Sequence, residues 1–148
     1  MQLTREADYA IRTVLEVASQ PVGTATSTAE ISERRHVPRA FLRKIVPRLV
    51  RAGLLASRRG KRGGLMLARP VELISLLAVI DVAQGPPAVN RCVLRPEICV
   101  LQPTCPVHEV CVRAREQLVE LFGGVSFAAL AERGAELRAQ RMDPVRAQ

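Results

Sequence analysis

The sequence predicts a mainly α-helical protein with one small β-hairpin. Three observations carry that prediction. Apolar residues recur at the three- and four-residue spacing of helices along most of the 148-residue chain. Hydrophobic residues make up 48% of it, yet only one Tyr and three Phe are present, so the core is aliphatic, which suits packed helices. One glycine-rich turn between two short apolar runs has the pattern of a hairpin.

Leu3, Ala7, Ala10, Ile11, Val14, Leu15 and Ala18 mark the first helix. Thr4 is its N-cap, and Glu6 and Asp8 complement the dipole of its first turn. It stops near Gln20, ahead of Pro21 and Gly23. Ser27-Thr-Ala-Glu30 has capping-box spacing and starts a short second helix to about Arg35. Pro38 then sits at a favoured first position of a third helix. Its stripe is Phe41, Leu42, Ile45, Val46, Leu49 and Val50, and Gly53 ends it. Pro47 falls inside this helix, so a bend is expected between Arg43 and Pro47.

Leu54–Ser57 and Leu65–Leu67 read as strands, joined by Arg58-Arg-Gly-Lys-Arg-Gly-Gly64. Leu73, Ile74, Leu76, Leu77, Val79, Ile80 and Val82 form a fourth helix, ended by Gly85-Pro-Pro87. Pro96, Pro103 and Pro106 break the next segment into loop. A long helix from about Pro106 carries Cys111, Ala114, Arg115, Leu118, Leu121 and Phe122 up to Gly123-Gly124. An apolar stripe after an exposed loop needs a partner surface, which assigns this helix to dimerisation. Ser126 to Ala131 adds a short helix, and the tail from Gly134 is expected to be frayed. The chain thus divides into residues 1–70, residues 71–133 and a flexible tail, 134–148.

Charge is placed unevenly. Residues 1–70 hold 14 Lys/Arg against 5 Asp/Glu, whereas residues 71–148 hold 8 against 9. From Arg34 to Val71 there are 12 basic residues and no acidic one. Such a stretch repels itself unless it meets a polyanion, and a phosphate backbone is the commonest. A basic helix followed by a basic hairpin tip is the layout of a winged helix-turn-helix on double-stranded DNA. Its expected contacts are Arg39, Arg43, Lys44 and Arg48 on the helix, and Arg58, Arg59, Lys61 and Arg62 on the wing.

No apolar run is long enough for a membrane span, and the opening MQLTREADYAI lacks the pattern of a secretory signal, which predicts a cytoplasmic protein. An enzyme is not expected. No nucleophile–base constellation is evident, and the wing glycines lack the spacing of a phosphate-binding loop.

All four cysteines lie in CVLRPEICVLQPTCPVHEVC, Cys92 to Cys111, with gaps of six, five and five residues. Thiolates are preferred ligands of iron–sulfur clusters, and a proline after a ligating Cys, as at Cys105-Pro106, recurs there. Zinc also takes Cys and His, and two neighbouring thiols suffice for a redox switch. Spacing alone leaves cluster, zinc site and thiol–disulfide switch open with equal weight.

Three stretches together resemble the Rrf2 family of bacterial winged-helix regulators, including its IscR, NsrR and RirA types. They are MQLTREADYAIRTVLEVA, TAEISERRHVPRAFLRKIVPRLVRAGLLASRRGKRGGLML and ISLLAVIDVAQGP, followed by the spaced cysteines. The resemblance spans Met1 to about Arg133. It implies a homodimer that controls genes, often through an iron–sulfur cluster responding to nitric oxide, redox state or iron supply. It also implies Cys92, Cys99 and Cys105 as ligands. The fourth ligand is expected to be Asp8 from the partner subunit, which goes with a 4Fe–4S cluster. The alternative is His108, which goes with a 2Fe–2S centre. Cys111 lies on the apolar stripe and reads as a buried free thiol. Leu65 stands where the family usually has an aromatic, and Pro47 is also a departure.

Overall fold

Three side-chain caps set where helices begin. The hydroxyl of Thr4 accepts from the Ala7 N–H at 3.2 Å and opens α1 (Arg5–Ala18). Ser27 and Glu30 form the reciprocal capping box of α2 (Thr28–Arg35). Ser75 accepts from the Ala78 N–H and starts α4 (Leu76–Gln84). Between them lie α3 (Arg39–Arg51) and an antiparallel hairpin, β1 (Leu55–Arg58) with β2 (Gly64–Leu67), paired Leu55 to Leu67 and Arg58 to Gly64. Two long helices follow, α5 (Pro106–Gly123) and α6 (Phe127–Met142). This computed structural model describes residues 1–142. Among them no helix is long and apolar enough to cross a membrane.

The core forms around α1. Ala7, Ala10, Val14 and Val17 are buried against Leu42, Ile45 and Leu49 of α3, Ile31 of α2, Leu65 of β2, Val79 of α4 and Phe127 of α6. A carboxylate joins this apolar set. Glu16 is 5% exposed and receives Arg35 Nε at 2.6 Å on one oxygen and Arg34 at 3.1 Å on the other. Burial pushes its carboxyl up, but hydrogen bonds and charge from Arg35 and Arg34 outweigh that and hold it below the ordinary range.

Differences from the sequence reading have local causes. The fourth helix starts at Leu76. Val71–Leu73 is a 3₁₀ turn with Leu73 69% exposed, and Ile74 is buried in extended backbone. Pro38 is the N-cap of α3 rather than its first residue. That helix is unbroken through Pro47, which lies with Arg43 on its exposed flank. The tail expected from Gly134 is helical as far as Met142, and 143–148 lie outside the described residues. Phe127 is fully buried and donates its N–H to the Ile74 carbonyl at 2.8 Å, while Leu76 N–H reaches Val125. These bonds pin the α5–α6 junction to the head of α4. By contrast α5 buries no residue fully, and Val107, Val110 and Leu121 are more than half exposed.

The wing root is clamped. Thr26 and Leu65 exchange both backbone hydrogen bonds, at 2.9 and 2.8 Å. A Cβ on Gly64 would lie 2.6 Å from the Thr26 backbone.

Two outcomes follow. Glu16→Gln is expected to destabilise the protein by about 2 kcal/mol at pH 7 by unbalancing its arginines. Because the folded carboxyl titrates below its unfolded value, wild type holds this stability above that value and loses it as pH falls. The gap between the two proteins in urea melts should therefore close below about pH 4. Gly64→Ala should cost about 1–3 kcal/mol in the same measurement, because backbone on both sides of the wing root must shift.

Candidate functional site

The basic residues fall into two groups. Arg39, Arg43 and Lys44 project from the exposed side of α3, opposite Leu42, Ile45 and Leu49. Among the described residues they make no ion pair. Arg58, Arg59, Lys61 and Arg62 are all exposed on the wing, where Arg58 donates to the Arg62 carbonyl at 3.1 Å and stiffens the tip. The backbone at the tip turns at Gly60, φ 112°, and Gly63 N–H closes onto Gly60 O at 2.8 Å. Uncompensated cations thus sit on the first turns of α3 and on the wing, as a phosphate-binding surface requires.

Arg48 differs. Its side chain is 40% exposed and turned inward. It meets Glu6 of α1 at 3.1 Å, the Ala83 carbonyl at 3.0 Å and the Val82 carbonyl at the end of α4. Spacing on α3 offers no sign of this arrangement. Two other arginines, unremarked in the sequence, act alike. Arg69 donates to the carbonyls of Gly53 and Ala52 at the end of α3, at 2.9 and 3.0 Å. Arg12 reaches the Arg35 carbonyl at 3.4 Å, closing α2.

The cysteine loop is a chain of 3₁₀ turns. Cys92 lies within Arg91–Val93, Cys99 closes Pro96–Ile98, and Cys105 closes Gln102–Thr104 while serving as N-cap of α5. All four cysteines are free and partly exposed, so Cys111 is not the fully buried thiol expected. Its helix α5 packs on α4 and on the Arg91–Val93 turn but buries no residue fully. His108, in the first turn of α5, has its Nδ1 buried without a hydrogen-bond partner. Asp8, the other expected donor, is on α1 and already held. Its two oxygens receive Arg12 at 3.1 and 2.8 Å. That pair was legible as an i, i+4 spacing.

Among the described residues, no three His, Cys, Asp or Glu side chains lie together as a metal site. The donor types nevertheless fit an iron–sulfur cluster: three unbridged thiols, each at a turn, and an imidazole nitrogen with no partner. A single chain presents these donors without closing them into one site.

Residues 3–133 match the Rrf2 family, described as iron-dependent transcriptional regulators. The chain belongs to the Rrf2 family. As a member it is a transcriptional regulator with a winged-helix fold. Solved structures share that fold. B. subtilis CymR, the global cysteine regulator, is 24% identical, with 90% of this chain and 98% of that chain covered and a TM-score of 0.77. The oxidized form of Staphylococcus aureus CymR is 22% identical over 89% and 97% of the two chains, with a TM-score of 0.72. T. potens IscR is 20% identical over 93% and 90%, with a TM-score of 0.72.

Proposed function

We propose that this Rrf2 protein is a homodimer that binds double-stranded DNA with affinity set by an iron–sulfur cluster in the cysteine loop. The observation that carries the DNA reading is the set of unpaired cations on α3 and the wing. Arg39, Arg43 and Lys44 would meet phosphates and base edges in the major groove, and Arg58, Arg59, Lys61 and Arg62 the flanking backbone. Residues 1–70 are then the reading head, and residues 71–133 the sensing and pairing region. Val107, Val110 and Leu121, the apolar residues of α5 left more than half exposed by its packing on α4, are the surface that a second copy would cover.

Cys92, Cys99 and Cys105 would hold the cluster. When bound it supplies a centre sensitive to nitric oxide, oxidation and iron supply. The fourth donor is either Asp8 of the partner subunit or His108. The unpartnered Nδ1 favours His108, because Asp8 must first give up Arg12. The chain's own part is mechanical: a loop of turns that closes around a ligand must reposition the end of α4, from which it hangs. A second reading is a thiol–disulfide switch. It draws support from the partial exposure of every thiol and from the existence of an oxidized form of Staphylococcus aureus CymR.

Single Arg→Ala changes at Arg39, Arg43 or Arg59 should weaken binding across sequences. Each should lower the slope of log affinity against log salt by about 1. Unchanged slopes at all three would remove this face as the interface. Protein purified without oxygen should carry iron and absorb visible light, and Cys92→Ser, Cys99→Ser or Cys105→Ser should abolish both. Cys111→Ser should keep them, and His108→Ala should impair loading more than Asp8→Ala. Colourless wild type whose DNA affinity follows thiol oxidation supports the switch, and zinc without iron supports a zinc site.

A further inference from the structure

We infer that Arg48 is the positioning residue that couples the cysteine loop to the recognition helix, and not one of the phosphate contacts. The inference rests on the reading of that loop as the sensor. It is argued from where the Arg48 guanidinium goes.

The last four carbonyls of a helix lack intrahelical donors. In α4 these belong to Asp81, Val82, Ala83 and Gln84. The Gly85 N–H serves Asp81 at 3.0 Å. The last turn of α4 has no basic residue of its own. Arg48 supplies one from α3: a single nitrogen donates to both Val82 and Ala83 carbonyls, and another meets Glu6. The cation thus sits at the negative end of α4 and makes charge-assisted bonds there. A planar guanidinium makes these three bonds from two nitrogens held in one rigid fork, whereas an ammonium offers its donors from a single point on a flexible stem.

What hangs from this joint gives it consequence. α4 ends at Gln84, and the chain turns at Gly85 into the segment that carries Cys92. The Gln84 side chain also accepts the Thr4 N–H at 2.8 Å, so the loop's root is tied to the head of α1 as well. Any shift of that root therefore acts on Arg48, about one turn along α3 from Lys44 and Arg43 and about two and a half from Arg39. Among the described residues those three side chains have no intramolecular tie, and Arg48 is the cation of the predicted DNA set that is fastened to the sensing half.

Coupling is reciprocal: if the loop alters DNA binding through Arg48, DNA binding must alter the loop's root through Arg48. The test uses full-length wild type, Arg48→Gln and Arg48→Lys, with a duplex enriched from a random pool by the wild-type protein. It measures DNA affinity with iron loaded and stripped, and amide exchange at 82–92 with and without the duplex. In wild type the two states should differ by about tenfold or more, and the duplex should slow exchange at 82–92. Arg48→Gln should reduce the ratio to below about twofold and erase the exchange response, while α3 amides stay protected by DNA. Arg48→Lys should fall between.

An unchanged ratio and exchange response in Arg48→Gln overturns the inference. So does a loss of affinity in both states with about one unit less salt slope, the mark of a phosphate contact. If wild-type exchange responds through Arg48 while affinity is the same in both states, the link stands and the sensor reading fails. Should Arg48→Gln not fold, Glu6→Gln removes one partner only; a partly reduced ratio supports the link, and an unchanged one overturns it.

Discussion

A helix ends in carbonyls that have lost their donors, and in this protein two helices meet that constraint with arginines from elsewhere in the chain, while a third arginine holds the turn after another. Arg12 of α1 closes α2 and Arg48 of α3 closes α4, and Arg69 beyond β2 holds the turn after α3 at Ala52 and Gly53. Each bond is charge-assisted and places a cation at a negative helix end. Each also joins two elements. The helices are therefore joined end to side, with α1 on α2, the segment after β2 on the turn after α3, and α3 on α4. The aliphatic core supplies the bulk of the attraction but little direction. The arginines supply the direction.

This division changes the meaning of the basic half. Of the 12 cations between Arg34 and Val71, four are bound into the fold: Arg34 and Arg35 on Glu16, Arg48 on Glu6 and α4, and Arg69 on α3. The carboxylates that pair with them, Glu6 and Glu16 of α1 and Glu30 of α2, all lie outside the stretch. The stretch itself contains no acid, although the folded chain brings these three carboxylates to Arg34, Arg35 and Arg48. What stays uncompensated is concentrated on the first turns of α3, at Arg51 and on the wing.

Caps and stripes were legible because they depend on neighbours in sequence. Thr4, Ser27 and Glu30 act as their spacing predicts, and the hairpin forms at the glycine-rich turn. The head of α4 was misplaced because Leu73 and Ile74 continue its apolar pattern, while the Ser75 cap and a backbone bond to Val125 set the true start. α6 passes through Gly134, since a glycine in a helix costs only about 1 kcal/mol against alanine and does not by itself end one. In the candidate site, the exposed cations could be read from their phase on α3. The inward turn of Arg48 could not, since its partners lie far away along the chain. A ligand set that one chain leaves open is likewise beyond the reach of spacing.

The wing has a clamped root and an open tip. Gly64 and Leu65 are held against Thr26 with no room for a Cβ, whereas nothing lies within 4 Å of where a Cβ at Gly60 would stand. Arg59, Lys61 and Arg62 can therefore be exchanged without disturbing the helices beneath. Rewriting those few tip residues would change how tightly the wing grips a polyanion, while the strand that aims them stays the same.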